Sequence, residues 1–185
     1  TMQALIDIVR QGKALYVGIS KYPPEQQREA YRILREASVP CLLSQYKYNL
    51  QVREPEETIL PQAAEEGSGF VAFSPLNQGL LTNKYLNGEI PEGSRAARPD
   101  GFLQREQVTE EIITESRRLN EIAQRRGQTL AQMALAWLLH DKRVTSVIIG
   151  TRNVAQMDSS LAALNNLVFS AEELAEIDNH KQTLQ

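Results

Sequence analysis

The chain has 185 residues, 42% of them hydrophobic, which is enough for one domain with its own core. Its 20 Lys and Arg against 23 Asp and Glu give a formal net charge of -3 without a basic block, which argues against nucleic acid as a partner. We expect a cytoplasmic protein that is not embedded in a membrane, because no apolar run approaches a membrane span, no signal-peptide layout opens the chain, and Cys41 has no second cysteine to pair with.

The first part of the chain alternates helical spacing with short apolar runs. A first helix is predicted to end before Gly12, followed by a buried strand over 14–19. A helix opened by proline is predicted over about 24–37, and a second strand over 39–45. Because helical spacing already starts at the first residues, we expect that the chain has been cut from a longer one.

The middle of the chain predicts a helix over 56–66, a third strand over 70–74 and a long loop over 75–104. Helices are then predicted over 106–126 and 130–140, and the second should be deeply buried because it is apolar almost all round. A capping box at Thr129 and Gln132 favours its start. The loop is long enough to indicate a functional role.

The last part of the chain predicts a fourth strand over 144–149, a helix over 154–164 and a final helix ending near His180. A capping box at Ser170 and Glu173 favours the start of the final helix.

This order of elements predicts an α/β fold of parallel β/α units, joined by right-handed crossovers and covered by helices on both faces. A complete eight-stranded barrel needs about 250 residues, and no G-x-G-x-x-G motif supports a doubly wound dinucleotide fold. Residues 1–185 are therefore interpreted as a single domain, half of a (β/α)8 TIM barrel with extra C-terminal helices.

The carboxyl ends of the strands are where a β/α fold carries its site. Ser20, Ser44 and Ser74 follow or end three of the predicted strands, and each is either a turn cap or a ligand-binding hydroxyl. Gly150 and Arg152 precede a predicted helix start, a place suited to phosphate, although Arg152 also fits a solvated surface arginine.

Other chemistries have weak support in the sequence. His140 and His180 lie near predicted helix ends without acidic or cysteine neighbours at ligand spacing, so we expect no metal site. Lys47 between Tyr46 and Tyr48 points away from both rings in an extended chain, and it is not expected to lower the pKa of either.

Several motifs together resemble the aldo-keto reductases, and within that family the bacterial L-glyceraldehyde 3-phosphate reductases and the potassium-channel β-subunits. The matching segments are Gly18-Ile19-Ser20, the strand end at Gln45, Phe73-Ser74-Pro75-Leu76 with Gly79-Leu80-Leu81-Thr82, and Val147-Ile148-Ile149-Gly150 followed by Gln156. The resemblance covers essentially the whole chain and implies the second half of a (β/α)8 barrel that binds NADPH.

The resemblance also implies a cofactor site for NADP(H). The nicotinamide end is implied to contact Ser20, Gln45 and Phe73. The pyrophosphate is implied to run along Ser74, Pro75, Leu76, Asn77, Gln78, Lys84 and Arg95. The adenosine-phosphate end is implied to contact Gly150, Arg152 and Gln156, although Arg152, Ser159 and Ser160 depart from the residues common there.

The catalytic Asp, Tyr, Lys and His of the family come from strands that this chain does not match, so no catalytic residue is assigned. The first hypothesis is the C-terminal, cofactor-binding half of an NADPH-dependent reductase of aldehydes, whose small carbonyl substrate is bound by the intact parent. The alternative is a noncatalytic half-barrel that pairs with itself or another half through its exposed strand edges. Either hypothesis predicts a homo-oligomer or an association with the missing half.

Overall fold

Helices and strands alternate through residues 1–179, which are the residues that the computed structural model describes. The elements are α1 Met2–Arg10, β1 Val17–Ser20, α2 Pro24–Glu36, β2 Cys41–Lys47, α3 Ile59–Glu65, β3 Gly69–Phe73, α4 Glu110–Arg125, α5 Leu130–His140, β4 Val144–Val147, α6 Val154–Leu161 and α7 Ala171–Asp178. The predicted order of helices and strands is confirmed, with ends that differ by a few residues. The predicted helix end near His180 lies outside the described residues.

The four strands form one parallel sheet in the order β1-β2-β3-β4, so β1 and β4 are its outer strands. This is the arrangement of consecutive βα units, and it confirms the predicted α/β class as part of a (β/α)8 barrel. Right-handed crossovers between neighbouring strands place the connecting helices on one side of the sheet.

The expectation that helices cover both faces of the sheet is wrong. Phe70 and Ala72 of β3 are fully buried among residues of α3 and α5, whereas Val71 and Phe73, which point to the other face, are only half-buried. Gly18 of β1 is likewise exposed on that second face, which we call the open face. A strand order without reversal leaves the open face without helices in the described part of the chain.

The start of β1 is also later than expected. Leu15 is 83% and Tyr16 66% exposed, and the strand begins at Val17, where pairing with Cys41 of β2 begins. Because β1 has a neighbouring strand on one side only, the residues before that pairing have no surface on which to be buried. Cys41 itself is a buried free cysteine, as expected of a small core residue.

The long loop after β3 is folded onto α4. Leu80, Tyr85, Ala96 and Leu103 form a small buried cluster of their own within it. The Arg117 guanidinium of α4 donates to the Leu86 carbonyl at 2.6 Å, which ties the loop to the helix. α4 begins at Glu110 rather than at Glu106, because Thr109 accepts from the Ile112 amide and caps the helix there.

Candidate functional site

A cleft of about 1090 Å³ lies at the carboxyl ends of β3 and β4, between the loop after β3 and the start of α6. This volume is slightly above the usual range for ligand pockets, about 300–1,000 Å³. The residues predicted to contact the cofactor that line this cleft are Ser74, Pro75, Leu76, Gln78, Lys84, Arg95, Gly150, Arg152 and Gln156. The structure therefore brings together residues that are up to 82 positions apart, from Ser74 to Gln156.

The side chains around the cleft carry an excess of positive charge. Lys84, Arg95, Arg98 and Arg152 line it, against Asp100 as the acidic lining residue. Arg152 donates through Nη1 to the Gly93 carbonyl at 3.3 Å, and the Arg95 guanidinium donates to the Gln78 side chain. Both partners are uncharged oxygens, so these contacts leave the two positive charges available to an anion in the cleft.

The wall of the cleft after β3 has an unusual backbone. Ser74, Asn77 and Gln78 have φ values of 52°, 40° and 60°, which is the left-handed region that residues other than glycine rarely adopt. The Ser74 carbonyl accepts from the Asn77 amide at 2.9 Å and from the Asn49 side-chain amide at 2.9 Å. Such conformations persist where surrounding contacts enforce them, and they are frequent at ligand sites.

The opposite wall includes the first turn of α6. Asn153 caps this helix by accepting from the Gln156 amide at 2.9 Å, and Gln156 Oε1 accepts from the Arg152 amide at 2.9 Å. The Gln156 side chain thus closes the turn that carries Arg152. Gly150 stands before this turn with open space where a side chain would be.

The predicted nicotinamide residues lie at neighbouring strand ends but not on this cleft. Ser20 Oγ donates to Gln45 Oε1 at 3.2 Å, since the two residues are direct partners in the pairing of β1 with β2. Phe73 ends β3 on the open face opposite Lys47. Asn77 does not line the cleft either, because its side-chain amide donates to Gln51 Oε1 at 3.0 Å.

The structure shows whether Ser44, Tyr46 and Tyr48 are free to act at a site. Ser44 is fully buried and donates to Gln27 Oε1 at 2.8 Å, which makes it a core hydrogen bond rather than a ligand-binding group. The Tyr48 hydroxyl donates to Glu56 at 2.8 Å, and burial raises the pKa of this phenol. Burial also raises the pKa of Tyr46, so Lys47 activates neither ring.

Several residues at the site were not predicted from the sequence. Arg98, Asp100 and Phe102 line the cleft, and Phe102 is 93% exposed. The signal for this turn was present as Pro99-Asp100-Gly101, a strong turn sequence inside the loop. Glycine is favoured at position 101, because a Cβ there would stand 3.0 Å from the Arg95 carbonyl oxygen and would require a small shift of the backbone.

The remaining observations on residues 1–179 concern metal ligands, histidines and membrane spans. No group of three or more His, Cys, Asp or Glu side chains in that range is arranged to hold a metal ion. His140 is half-buried at the end of α5, where its Nδ1 contacts the Trp137 carbonyl, and His180 lies outside the described residues. Within the same range, none of the helices has both the length and the apolar character of a membrane span.

Comparison with known proteins matches residues 1–182 to the Aldo/keto reductase family. Two curated relatives, the L-glyceraldehyde 3-phosphate reductases of Escherichia coli O157:H7 and of Escherichia coli strain K12, are each 49% identical over 184 residues. The matched region covers 97% of this chain and 53% of each relative. The chain therefore spans about half the length of the curated relatives that it matches.

Proposed function

The chain belongs to the aldo/keto reductase family, and from that membership we propose that it holds NADPH for the reduction of an aldehyde. The observation that carries the proposal is the cleft at the ends of β3 and β4, where Lys84, Arg95, Arg98 and Arg152 face Asp100. NADPH is a polyanion, and a cleft with excess positive charge is the kind of site that it requires.

We propose that this nucleotide extends from the cleft to the neighbouring strand ends of β1 and β2. Arg152 and the first turn of α6 would bind the phosphate of the adenosine end, where a helix start and a guanidinium both favour an anion. Lys84 and Arg95 would lie along the pyrophosphate beside the loop after β3. Ser20 and Gln45, which already contact each other at 3.2 Å, would bind the nicotinamide carboxamide next to Phe73.

When bound, NADPH supplies the hydride that reduces a carbonyl carbon. The proton for the carbonyl oxygen must come from an acid, and general acid catalysis contributes about 10²–10⁴-fold to such rates. Tyr46 and Tyr48 are poor candidates, because their hydroxyls donate to the Tyr22 carbonyl and to Glu56 and burial raises both pKa values. We therefore propose that the acid lies outside this chain.

The names of the relatives support L-glyceraldehyde 3-phosphate as the substrate of the intact enzyme. Methylglyoxal, a similar small aldehyde, is a second substrate that we propose to test. The test is calorimetric titration of the chain with NADPH, together with a turnover assay on both aldehydes. We expect binding without turnover. Steady oxidation of NADPH by material free of any longer enzyme would contradict the proposed lack of an acid, and absence of binding would contradict the nucleotide site.

A second candidate function, a noncatalytic association module, is supported by the two outer strands. The edges of β1 and β4 lie on opposite sides of the sheet, and α6, the helix that follows β4, exposes Val154, Met157 and Leu161. Exposed strand edges are templates for pairing. A second copy of the chain could pair its β1 with β4 and its β4 with β1, because strands that are all parallel match at both junctions.

Sedimentation velocity separates this candidate from a lone monomer. We expect a dimer or larger assembly at micromolar concentration, and a shift toward monomer in Leu161→Glu, which places a charge on the exposed apolar side of α6. Ala155→Glu adds the same charge at another exposed position of this helix and should leave the assembly unchanged. A monomer that unfolds cooperatively would reject the association.

A further inference from the structure

A group of polar side chains outside the cleft contacts the loop that forms its wall. Asn49 and Val52 exchange two backbone hydrogen bonds of 3.1 Å and close a tight turn after β2. This turn holds Asn49 and Gln51 against the loop after β3. Neither residue lines the cleft in the described structure.

The contacts reach the loop at three points along its length. Asn49 Nδ2 donates to the Ser74 carbonyl at 2.9 Å, and Asn77 Nδ2 donates to Gln51 Oε1 at 3.0 Å. Ser116 Oγ of α4 donates to the Leu80 carbonyl at 3.2 Å. Gln51 also connects the turn after β2 to α4, since its Nε2 donates to the Ser116 hydroxyl at 3.3 Å.

Glu115 determines which way the Gln51 amide faces. Gln51 Nε2 donates to Glu115 Oε2 at 2.9 Å, and an ionised carboxylate accepts hydrogen bonds but cannot donate them. The NH₂ group of Gln51 must therefore face Glu115, which turns Oε1 toward Asn77. Gln51 Oε1 then accepts from the Asn77 side chain, so the carboxylate acts on the loop through Gln51.

The residue that Gln51 holds is one of the three with left-handed backbone conformation. Asn77 has a φ of 40°, and it lies between Ser74 and Gln78, which have φ values of 52° and 60°. Ser74 and Gln78 both line the cleft. A strained segment keeps its shape only while neighbouring contacts enforce it. Here the side-chain hydrogen bonds that reach Ser74 and Asn77 from outside the loop come from Asn49 and Gln51.

We infer that Gln51, oriented by Glu115, is a positioning residue that keeps the loop over 74–80 in the shape that forms the cleft wall. Asn77 acts in the same way, through Gln51, rather than by touching the bound molecule. The link to nucleotide affinity rests on the proposed function, whereas the effect on the loop does not. This assigns a role to Asn77 that differs from the direct cofactor contact implied by the family resemblance.

Two measurements on the full chain test the inference. The first is hydrogen exchange of the Asn77, Gly79 and Leu80 amides without ligand, since each donates to a carbonyl within the loop. The second is the affinity for NADPH. Gln51→Ala and Asn77→Ala should each accelerate the exchange of these amides and weaken NADPH by about 3- to 10-fold, the effect of one hydrogen bond.

The double variant Gln51→Ala/Asn77→Ala distinguishes positioning from direct contact. If both residues act through one hydrogen bond, the double variant should lose no more NADPH affinity than either single variant. Additive losses would place Asn77 on the nucleotide and overturn its positioning role. Gln124→Ala, an exposed glutamine on α4, is the matched control and should change neither measurement.

A charge exchange tests the orientation by Glu115. Gln51→Glu places two carboxylates together and should loosen the loop, whereas Gln51→Glu/Glu115→Gln restores a donor facing an acceptor and should recover slow exchange. Loop exchange that is unchanged in Gln51→Ala, or a pair that does not recover, would overturn the inference. Faster loop exchange in a chain that does not bind NADPH would instead reject the proposed function and leave the anchoring of the loop established.

Discussion

Helices α5 and α6 flank the same strand, β4, and their environments differ. Leu130, Met133 and Leu138 of α5 are 0% exposed, whereas α6 has no buried residue within residues 1–179. The apolar side chains of α6 are among the exposed ones, with Val154 at 75% and Leu161 at 52%. Both helices carry apolar side chains, and only those of α5 are covered by other parts of residues 1–179.

This difference in burial shows that the candidate site lies between a well-packed part of the molecule and a part with little buried surface. The wall formed by the loop after β3 is attached to the sheet and α4. The wall formed by Gly150, Arg152 and Gln156 consists of the turn before α6 and the first turn of this exposed helix. Regions with little buried apolar surface open at lower free energy than the core, so we expect the α6 wall to be the more mobile one.

The largest expected effect comes from a matched pair of methionines. Met133→Ala in α5 should lower the free energy of unfolding by about 2–5 kcal/mol, because Met133 is 0% exposed and its removal leaves a cavity. Met157→Ala in α6 should change that free energy by less than about 0.5 kcal/mol, because Met157 is 40% exposed. Urea unfolding of both variants measures the contrast.

Similar losses in both variants would show that α6 is covered in solution. In that case the covering surface must come from another molecule, and the loss in Met157→Ala should depend on protein concentration. A loss independent of concentration would contradict the difference between the two helices described above.

The burial of α5 could be predicted from its sequence, because a helix that is apolar on nearly every side has no face to present to water. The same reasoning could not determine the environment of α6. Periodicity shows that Val154, Met157 and Leu161 share one side of a helix, but not whether the chain contains a surface to cover them. For the same reason the open face of the sheet was missed, since alternation along β3 is weak in a run of apolar residues.

The part of the candidate site that lies at the carboxyl ends of the strands could be predicted from the sequence. The sequence predicts Ser74, Gly150 and Arg152, because parallel strands end at one edge of a sheet, and these residues line one cleft. It does not predict Gln51 and Glu115, since they are 64 positions apart and their contact depends on how α4 packs beside the turn after β2. No local pattern indicates such packing.

The second-largest expected effect is on nucleotide affinity at the α6 wall of the cleft. Arg152→Ala should weaken NADPH much more than NADH, because a charge-assisted contact with the 2′-phosphate contributes roughly 1.5–3 kcal/mol, or about one to two decades of affinity. The difference should decrease with added salt. Titration of both nucleotides by fluorescence or calorimetry measures it, with the exposed Arg118→Ala on α4 as control. Equal losses for the two nucleotides would remove Arg152 from the phosphate site.

The smallest expected effect comes from removing the N-terminal caps of α5 and α6. Thr129 Oγ1 accepts from the Gln132 amide at 3.2 Å at the start of α5, and Asn153 Oδ1 accepts from the Gln156 amide at 2.9 Å at the start of α6. Removal of such a cap typically costs about 1 kcal/mol. The two capping hydrogen bonds are alike. The helices differ, because we expect α6 to unfold without the rest of the molecule and α5 to unfold only with it.

Thr129→Ala should therefore lower the free energy of global unfolding by about 1 kcal/mol, because α5 unfolds only with the core. Asn153→Ala should leave global unfolding nearly unchanged and accelerate hydrogen exchange in the Met157 amide, which donates to the Asn153 carbonyl in the first turn of α6. Urea unfolding and hydrogen exchange on the same two variants make the comparison. If Asn153→Ala lowered global stability as much as Thr129→Ala, α6 would unfold together with α5, and the boundary placed between the two walls of the cleft would not exist.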